Sequence, residues 1–229
     1  MSPTQRLVTI LLPLLLASSF PLRNLHAQET KGIKPGKTYT SPLKNFEVTA
    51  PQLCLGTKLQ EQQSKAGGMV AFVSDVGQLD RIDYERLNAD LVSTIAQADS
   101  AVKLALYVEQ LNSTVLQPNE ASLLVKEPFK FEQTDALFAV AAFPGGSTLA
   151  EASWAEGKMT LERKDSIRGL MVFIRGEFVY VLHHEVGIDF DAIWSCGLSG
   201  QGGPQLTPEE RDQVAKEGLQ RFYTMIAFK

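Results

Sequence analysis

Apolar and polar residues alternate along much of the chain, and this pattern predicts a domain rich in β-strands. Phe46, Val48 and Ala50 alternate with polar residues, as in a strand with one buried face. The alternation recurs over 122–143, and between 137 and 142 both sets of positions are apolar, which predicts a central strand covered on both sides. The other segments predicted to be strands are 69–73, 79–84, 149–154, 159–163, 170–174 and 178–184.

Turn and helix signals lie between these strands. Residues 75–77 and 175–177 predict hairpin turns, because each is short and joins two apolar runs. Apolar residues fall at helical spacing over 87–98 and again over 101–115. Asp99 lies between the two segments and is a suitable N-cap, so the helical region is predicted to break there.

The last helix is predicted from its first turn. Thr207 and Glu210 have the spacing of a capping box, and Pro208 occupies the first helical position. Gly218 lies inside this helix, where glycine costs about 1 kcal/mol relative to alanine, so we expect close packing against the sheet. In chain order, the elements predict an α+β domain with a mostly antiparallel sheet flanked by helices and a closing C-terminal helix.

The beginning of the chain has a different pattern. Arg6 precedes an apolar run from Leu7 to Ala17, and Ala27 lies directly before a suitable cleavage position ahead of Gln28. The run is too short to cross a bilayer core of roughly 30 Å. The sequence therefore predicts a signal peptide, export to the periplasm or the extracellular space, and no transmembrane anchor after cleavage.

The rest of the chain is predicted to form one domain. Residues 1–27 are the signal peptide, and residues 28–44 are rich in lysine, glycine and proline with little to bury, so they predict a flexible lead-in. Residues 45–229 have no low-complexity or proline-rich boundary inside them. Their length suits a single domain with a sizeable core.

The charge of the chain limits its partners. The formal net charge is −4, and cleavage of the leader would remove two arginines and no acid. An acidic chain without a cluster of lysine and arginine has no electrostatic footprint for a phosphate backbone. Nucleic acid is therefore not a predicted partner.

Cys54 and Cys196 are the only two cysteines. In an exported protein the compartment permits oxidation, and a disulfide between them is the favoured interpretation. The alternative is that both act as small unpaired apolar residues. The pairing would close a loop of about 142 residues and tie the first strand to the segment before the last helix.

His183 and His184 are the only histidines after the leader. Neighbouring side chains on a strand point to opposite faces, so the two are not expected to share a metal ion. One is expected to be buried and the other exposed. The alternative functions that they leave open are a small exported hydrolase, using His183 or His184 with a nearby acid, and a divalent-cation-binding protein.

Other candidate motifs lack a required residue. Ser199 resembles the serine of a hydrolase nucleophile elbow, but Gln201 stands where a glycine is needed. Asp189 and Asp191 lack the spacing of a calcium loop. The glycines around Pro204 do not match a phosphate-binding pattern. The sequence predicts no catalytic residue, no metal ligand and no cofactor.

Acidic residues surround the first predicted hairpin. They are Asp75, Asp80, Asp83 and Glu85. Runs of this kind usually form a solvated face, which is the expectation here. The alternative is a surface that binds a cation or a partner protein.

Two stretches of the chain are similar to the start and the end of a known domain family. The first runs from Tyr39-Thr-Ser-Pro42 into Phe46-Glu-Val48 and Pro51, and the second runs from Leu219-Gln-Arg-Phe222 to Phe228. With these stretches the chain resembles the PsbP-like family, which includes PsbP, the Mog-type Ran-binding proteins and DcrB-like exported proteins. Members of this family serve as non-catalytic accessory or assembly factors. The resemblance therefore implies an exported accessory or interaction module with a protein partner and no cofactor, and it assigns no functional residue.

Overall fold

The computed structural model describes most of the chain. It covers the ranges 31–54, 56–75, 77–131, 134–147, 150–155, 158–186 and 206–229, without the side chains of 150–158, 161 and 162. The predicted signal peptide and the segment with Asp189, Asp191, Cys196 and Ser199 lie outside these ranges.

The described ranges contain both strands and helices. Numbered along the chain, the strands are β1 Lys31–Ile33, β2 Thr38–Thr40, β3 Phe46–Thr49, β4 Thr57–Gln63, β5 Gly67–Val73, β6 Leu79–Arg86, β7 Ser122–Phe131, β8 Thr134–Phe143, β9 Ala150–Ala155, β10 Lys158–Arg163, β11 Ser166–Arg175, β12 Phe178–Val186 and β13 Ile226–Phe228. The helices are α1 Ala89–Gln97, α2 Ser100–Leu111 and α3 Pro208–Thr224. A π turn, Asn112–Leu116, follows α2 directly.

An eight-stranded antiparallel sheet forms the centre of the fold. Its strands lie in the order β1-β4-β5-β6-β12-β11-β8-β7. The strands β13, β3 and β2 form a second antiparallel sheet, and β9 pairs with β10 as a separate hairpin. The predicted fold class, an α+β domain with a mostly antiparallel sheet, is confirmed. Among the described residues, no helix is long and apolar enough to cross a membrane.

The two faces of the large sheet are covered by different elements. On the face that we call the α3 face, α3 contributes Leu219 and Phe222 to a core with Phe72 and Phe173. On the opposite α2 face, the helices α1 and α2 cover the apolar residues of β8, β11 and β12. Residues 137–141 are at most 1 % exposed, so the predicted double-sided burial of this strand is confirmed.

The helix starts also agree with the sequence. The Asp99 side chain accepts a hydrogen bond from the backbone N–H of Val102 at 2.8 Å, as an N-cap does. At the start of α3, Thr207 and Glu210 form both hydrogen bonds of a capping box. The helix α3 ends at Thr224, and Ile226 opens β13, which pairs with β3.

The structure differs from the sequence prediction within 28–44. Where a flexible lead-in was predicted, β1 pairs with β4 and β2 pairs with β3. Backbone hydrogen bonds order these strands, so they need few apolar side chains of their own. The Tyr39 hydroxyl also donates a hydrogen bond of 2.8 Å to Glu61 in β4.

Candidate functional site

His183 and His184 lie on opposite faces of the large sheet. In the antiparallel pairing of β12 with β6, His183 is the partner of Arg81 and His184 is the partner of Asp80. Alternation along β12 places His183 on the α2 face and His184 on the α3 face. The two side chains therefore cannot bind a common ion, as their spacing predicts.

His183 forms a buried charge-assisted cluster with two residues of β6. Its Nε2 lies 2.8 Å from Oδ2 of Asp83, and Nε of Arg81 donates to Oδ1 of Asp83 at 2.8 Å. Burial lowers the pKa of His183 to about 4, although the neighbouring Asp83 opposes this shift. Burial would raise the pKa of Asp83, but Arg81 and His183 lower it to about 2. At neutral pH a neutral His183 thus donates Nε2–H to an ionised Asp83.

The other ring nitrogen of His183 has no hydrogen-bond partner among the residues that the structure describes. Nδ1 is buried, and the whole residue is only 1 % exposed. In the tautomer that donates from Nε2, Nδ1 is an acceptor enclosed by protein. A substrate hydroxyl or a water nucleophile would have to reach this atom for His183 to act as a base through it.

His184 is held between a carboxylate and a helix backbone. Its Nδ1 lies 2.7 Å from Oδ1 of Asp80, which is itself 4 % exposed. The other edge of the ring faces Gly218 in α3, where a β-carbon would come within 2.2 Å of Nε2 of His184. The expectation of one buried and one exposed histidine is therefore correct for His183 and wrong for His184, which is mostly enclosed.

A second buried ion pair lies beside His183 on the α2 face. Arg168 and Glu185 are direct partners across β11 and β12, and Nε of Arg168 lies 3.6 Å from Oε2 of Glu185. Ser147 donates a hydrogen bond of 3.1 Å to Oε1 of the same carboxylate. The guanidinium also lies over the ring of Phe143, 4.6 Å from its centroid, and donates to the backbone carbonyl of Gly146.

Burial perturbs both members of this pair. It lowers the pKa of Arg168 to about 10 and raises the pKa of Glu185, while the attraction between the two opposes each shift. Among the described residues, Arg168 is the main electrostatic partner of Glu185. The pair is a structural element whose two halves depend on each other.

The acidic residues of the first hairpin do not form a shared solvated face. Asp75 lies at the turn and pairs with Lys58 on the surface. Asp80 and Asp83 point to opposite faces of the sheet and each binds one histidine. Glu85 lines a pocket on the α2 face. The expectation of a solvated face is therefore wrong for Asp80, which is buried.

Among the described residues, no nucleophilic side chain forms a hydrogen bond with either histidine. The hydrogen bonds of His183 and His184 go to Asp83 and Asp80, and no hydroxyl or thiol is bonded to either ring. The described side chains also contain no group of three or more histidine, cysteine or acidic ligands suited to a metal ion. Ser199, the serine singled out from the sequence, lies outside the described ranges.

Cys54 lies between β3 and β4. Its backbone N–H donates a hydrogen bond of 2.6 Å to Oε1 of Gln78. Because Cys196 lies outside the residues that the structure describes, the pairing of Cys54 with Cys196 stays a prediction.

Comparison with known proteins gives distant structural neighbours. No protein-family model and no curated protein matches the chain. It is similar to the solution structure of cyanobacterial PsbP (CyanoP) from Synechocystis sp. PCC 6803, with a TM-score of 0.44 and 10 % identity over 89 % of this chain and 99 % of that chain. A crystal structure from Bacteroides thetaiotaomicron VPI-5482 gives a TM-score of 0.36 and 15 % identity, over 86 % of this chain and 49 % of that chain. The function proposed below therefore depends on the geometry of this chain alone.

Proposed function

We propose that the protein is an exported, non-catalytic accessory or interaction module that acts through a protein partner. The observation that carries this proposal is the state of His183 and His184. Both rings are fixed inside the sheet by aspartates, so neither is available to a substrate.

His183 is poorly suited to act as a general base. A base is most effective when its pKa lies near the working pH, whereas burial lowers the pKa of His183 to about 4. Its Nε2 is already bonded to Asp83, and its Nδ1 is enclosed. These contacts support a structural role.

His184 has no free approach either. Asp80 binds Nδ1, and the backbone of α3 at Gly218 lies against the remaining ring edge. A residue packed in this way joins the helix to the sheet. No observation on the described residues favours the alternative hydrolase or the alternative divalent-cation-binding protein.

The proposed export depends on the leader pattern of the sequence, and the partner is proposed to be a protein because the chain is acidic and has no phosphate-binding pattern. The large apolar side chains exposed on the described surface are Leu124, Met159 and Val214, which belong to three different elements. A partner would therefore meet a mixed surface, as is usual for non-obligate interfaces.

The experiment is affinity capture of the tagged chain from the exported fraction of its host, expressed at its native level. N-terminal sequencing of the captured chain should give Gln28 as the first residue. We expect a protein that co-elutes in fixed proportion and captures this chain in the reciprocal experiment, with the untagged chain as control. A captured chain that retains Met1 in a membrane fraction, or one that remains alone in both directions, would contradict the proposal.

A further inference from the structure

A pocket of about 110 Å³ lies on the α2 face, beside the end of α2 and the π turn that follows it. Part of its floor is one row of paired residues across the sheet. Gln62 in β4 pairs with Met69 in β5, which pairs with Asp83 in β6, which pairs with Val181 in β12. Gln110 of α2 also lines the pocket, so the cavity is formed where the helix meets the strands.

One amide oxygen at this pocket lacks a hydrogen-bond partner among the described residues. It is Oε1 of Gln62, which is buried. Gln110 lines the same pocket and is only 5 % exposed. Buried polar groups are nearly always satisfied in native structures, so the oxygen of Gln62 indicates that the pocket is built to hold a polar molecule.

The charged residues of the lining determine whether the bound molecule is a cation or an anion. Among the described residues, the lining contains two carboxylates, Asp83 and Glu85, and no lysine, arginine or histidine. Arg81 contacts Asp83 without forming part of the lining. Asp83 is ionised at neutral pH, since Arg81 and the hydrogen bond to His183 hold its pKa at about 2. The pocket therefore favours a cation.

The volume of the pocket and its aliphatic side chains limit the size of the bound molecule and favour an apolar portion in it. Met69, Val179 and Val181 supply aliphatic surface. A cavity of roughly 150 Å³ accepts benzene, so a cavity of about 110 Å³ suits a molecule of about five or six non-hydrogen atoms. A short alkyl chain has the right dimensions.

We propose that this pocket binds a small organic ammonium ion with a short alkyl chain. The ammonium group donates hydrogen bonds to Asp83 and to the amide oxygens of Gln62 and Gln110, and the alkyl chain packs on Met69 and Val181. This site is separate from the proposed interaction with a protein, and neither depends on the other.

Nuclear magnetic resonance of the full chain, labelled with ¹⁵N, tests the site with n-butylammonium chloride as the probe. We expect saturable shifts of the backbone amides around Met69, Asp83 and Gln110. Sodium butyrate, which has the same chain length and the opposite charge, should give no saturable shift. Absence of saturation with n-butylammonium, or equal binding of butyrate, would overturn the proposal.

Variants locate the binding. Glu85→Gln removes one carboxylate, and Gln110→Leu removes an amide while keeping a side chain of similar volume. Each variant should raise the dissociation constant of n-butylammonium about tenfold. Gln97→Leu, on the exposed end of α1, is the matched control and should leave it unchanged. If the spectrum of Gln110→Leu shows that this variant is misfolded, the result for Glu85→Gln alone tests the site. An unchanged dissociation constant in that variant would place the probe elsewhere and refute the site.

Discussion

The imidazole of His184 lies where the side chain of any residue larger than glycine at position 218 would begin. A β-carbon built on Gly218 would come within 2.1 Å of Cδ2 of His184. A β-carbon on Gly169 in β11 would likewise come within 2.8 Å of the β-carbon of Ala215. Small residues thus let α3 approach the sheet closely, and the close packing expected from Gly218 in the sequence is confirmed.

Gly218→Ala is expected to destabilise the protein in spite of the better helix propensity of alanine. Propensity alone would favour alanine by about 1 kcal/mol. The methyl group cannot fit unless His184 or the helix moves, and overpacking of this kind costs about 2 kcal/mol or more. The free energy of unfolding, measured with urea at neutral pH, should therefore fall.

The matched control is Glu217→Ala, an exposed position in the same helix, which should change stability by less than about 0.5 kcal/mol. In the double variant Gly218→Ala/His184→Ala the loss should be smaller than the sum of the two single losses, because the clash has been removed. If the losses of stability in the two single variants are additive, a steric clash with His184 is not the reason that position 218 requires glycine.

As the pH falls, protonation of His183 should destabilise the fold at a higher pH than protonation of Asp83. An unfolded histidine titrates near pH 6.5, whereas the pKa of His183 in the fold is lowered to about 4. The unfolded state therefore binds more protons between these values, and stability present above about pH 6.5 falls as the pH approaches 4. The loss is on the order of 3 kcal/mol. Glu185 opposes it, since its raised pKa favours the folded state on protonation.

Urea unfolding at several pH values between 7 and 4 measures this slope. His183→Asn keeps an N–H donor for Asp83 and cannot titrate, so it should flatten the slope over this range. The readout is the pH dependence and not the absolute stability, which the substitution lowers in any case. An equally steep slope in His183→Asn would assign the acid sensitivity to other groups.

The sequence predicts the strands that carry their own apolar pattern and misses those that do not. The strand β4, Thr57–Gln63, is mostly glutamine, glutamate and lysine, and by composition it looks like a loop. It becomes a strand because β1 and β5 supply partners for its backbone on both sides. Its order comes from pairing, which a local pattern does not contain.

In the candidate site, too, the local sequence pattern predicts some features and strand pairing determines the others. The spacing of His183 and His184 is enough to place them on opposite faces. Their partners depend on the register of β12 against β6, and Asp83 is 100 residues from His183 in the chain. The one local signal was the set of charged residues within the apolar stretch of β6, which the prediction assigned to solvent.

Arg168→Met should be among the most damaging single substitutions on the α2 face. It leaves the carboxylate of Glu185 buried without its main electrostatic partner and removes the contact with the ring of Phe143. Breaking one half of a buried pair costs about 3 to 5 kcal/mol. Chemical unfolding of the variant at neutral pH measures the loss.

Lys58→Met is the matched control, because Lys58 and its partner Asp75 form an ion pair with side chains 43 % and 57 % exposed. Exposed pairs contribute at most about 1 kcal/mol. Adding Glu185→Gln to Arg168→Met should recover part of the stability, since the uncompensated charge is gone. A loss for Arg168→Met no larger than that for Lys58→Met would show that the pair is dispensable.

The predicted disulfide between Cys54 and Cys196 should make stability depend on the redox state. A bridge over about 142 residues restricts the unfolded chain and can contribute up to ~5 kcal/mol, so dithiothreitol should lower the melting temperature markedly. Peptide mapping without reduction should recover the two cysteines in one linked fragment. The variant Cys54→Ser/Cys196→Ser should melt at the lower temperature with or without dithiothreitol. If a thiol reagent instead labels both cysteines of the folded protein before reduction, the two are unpaired and the bridge is wrong.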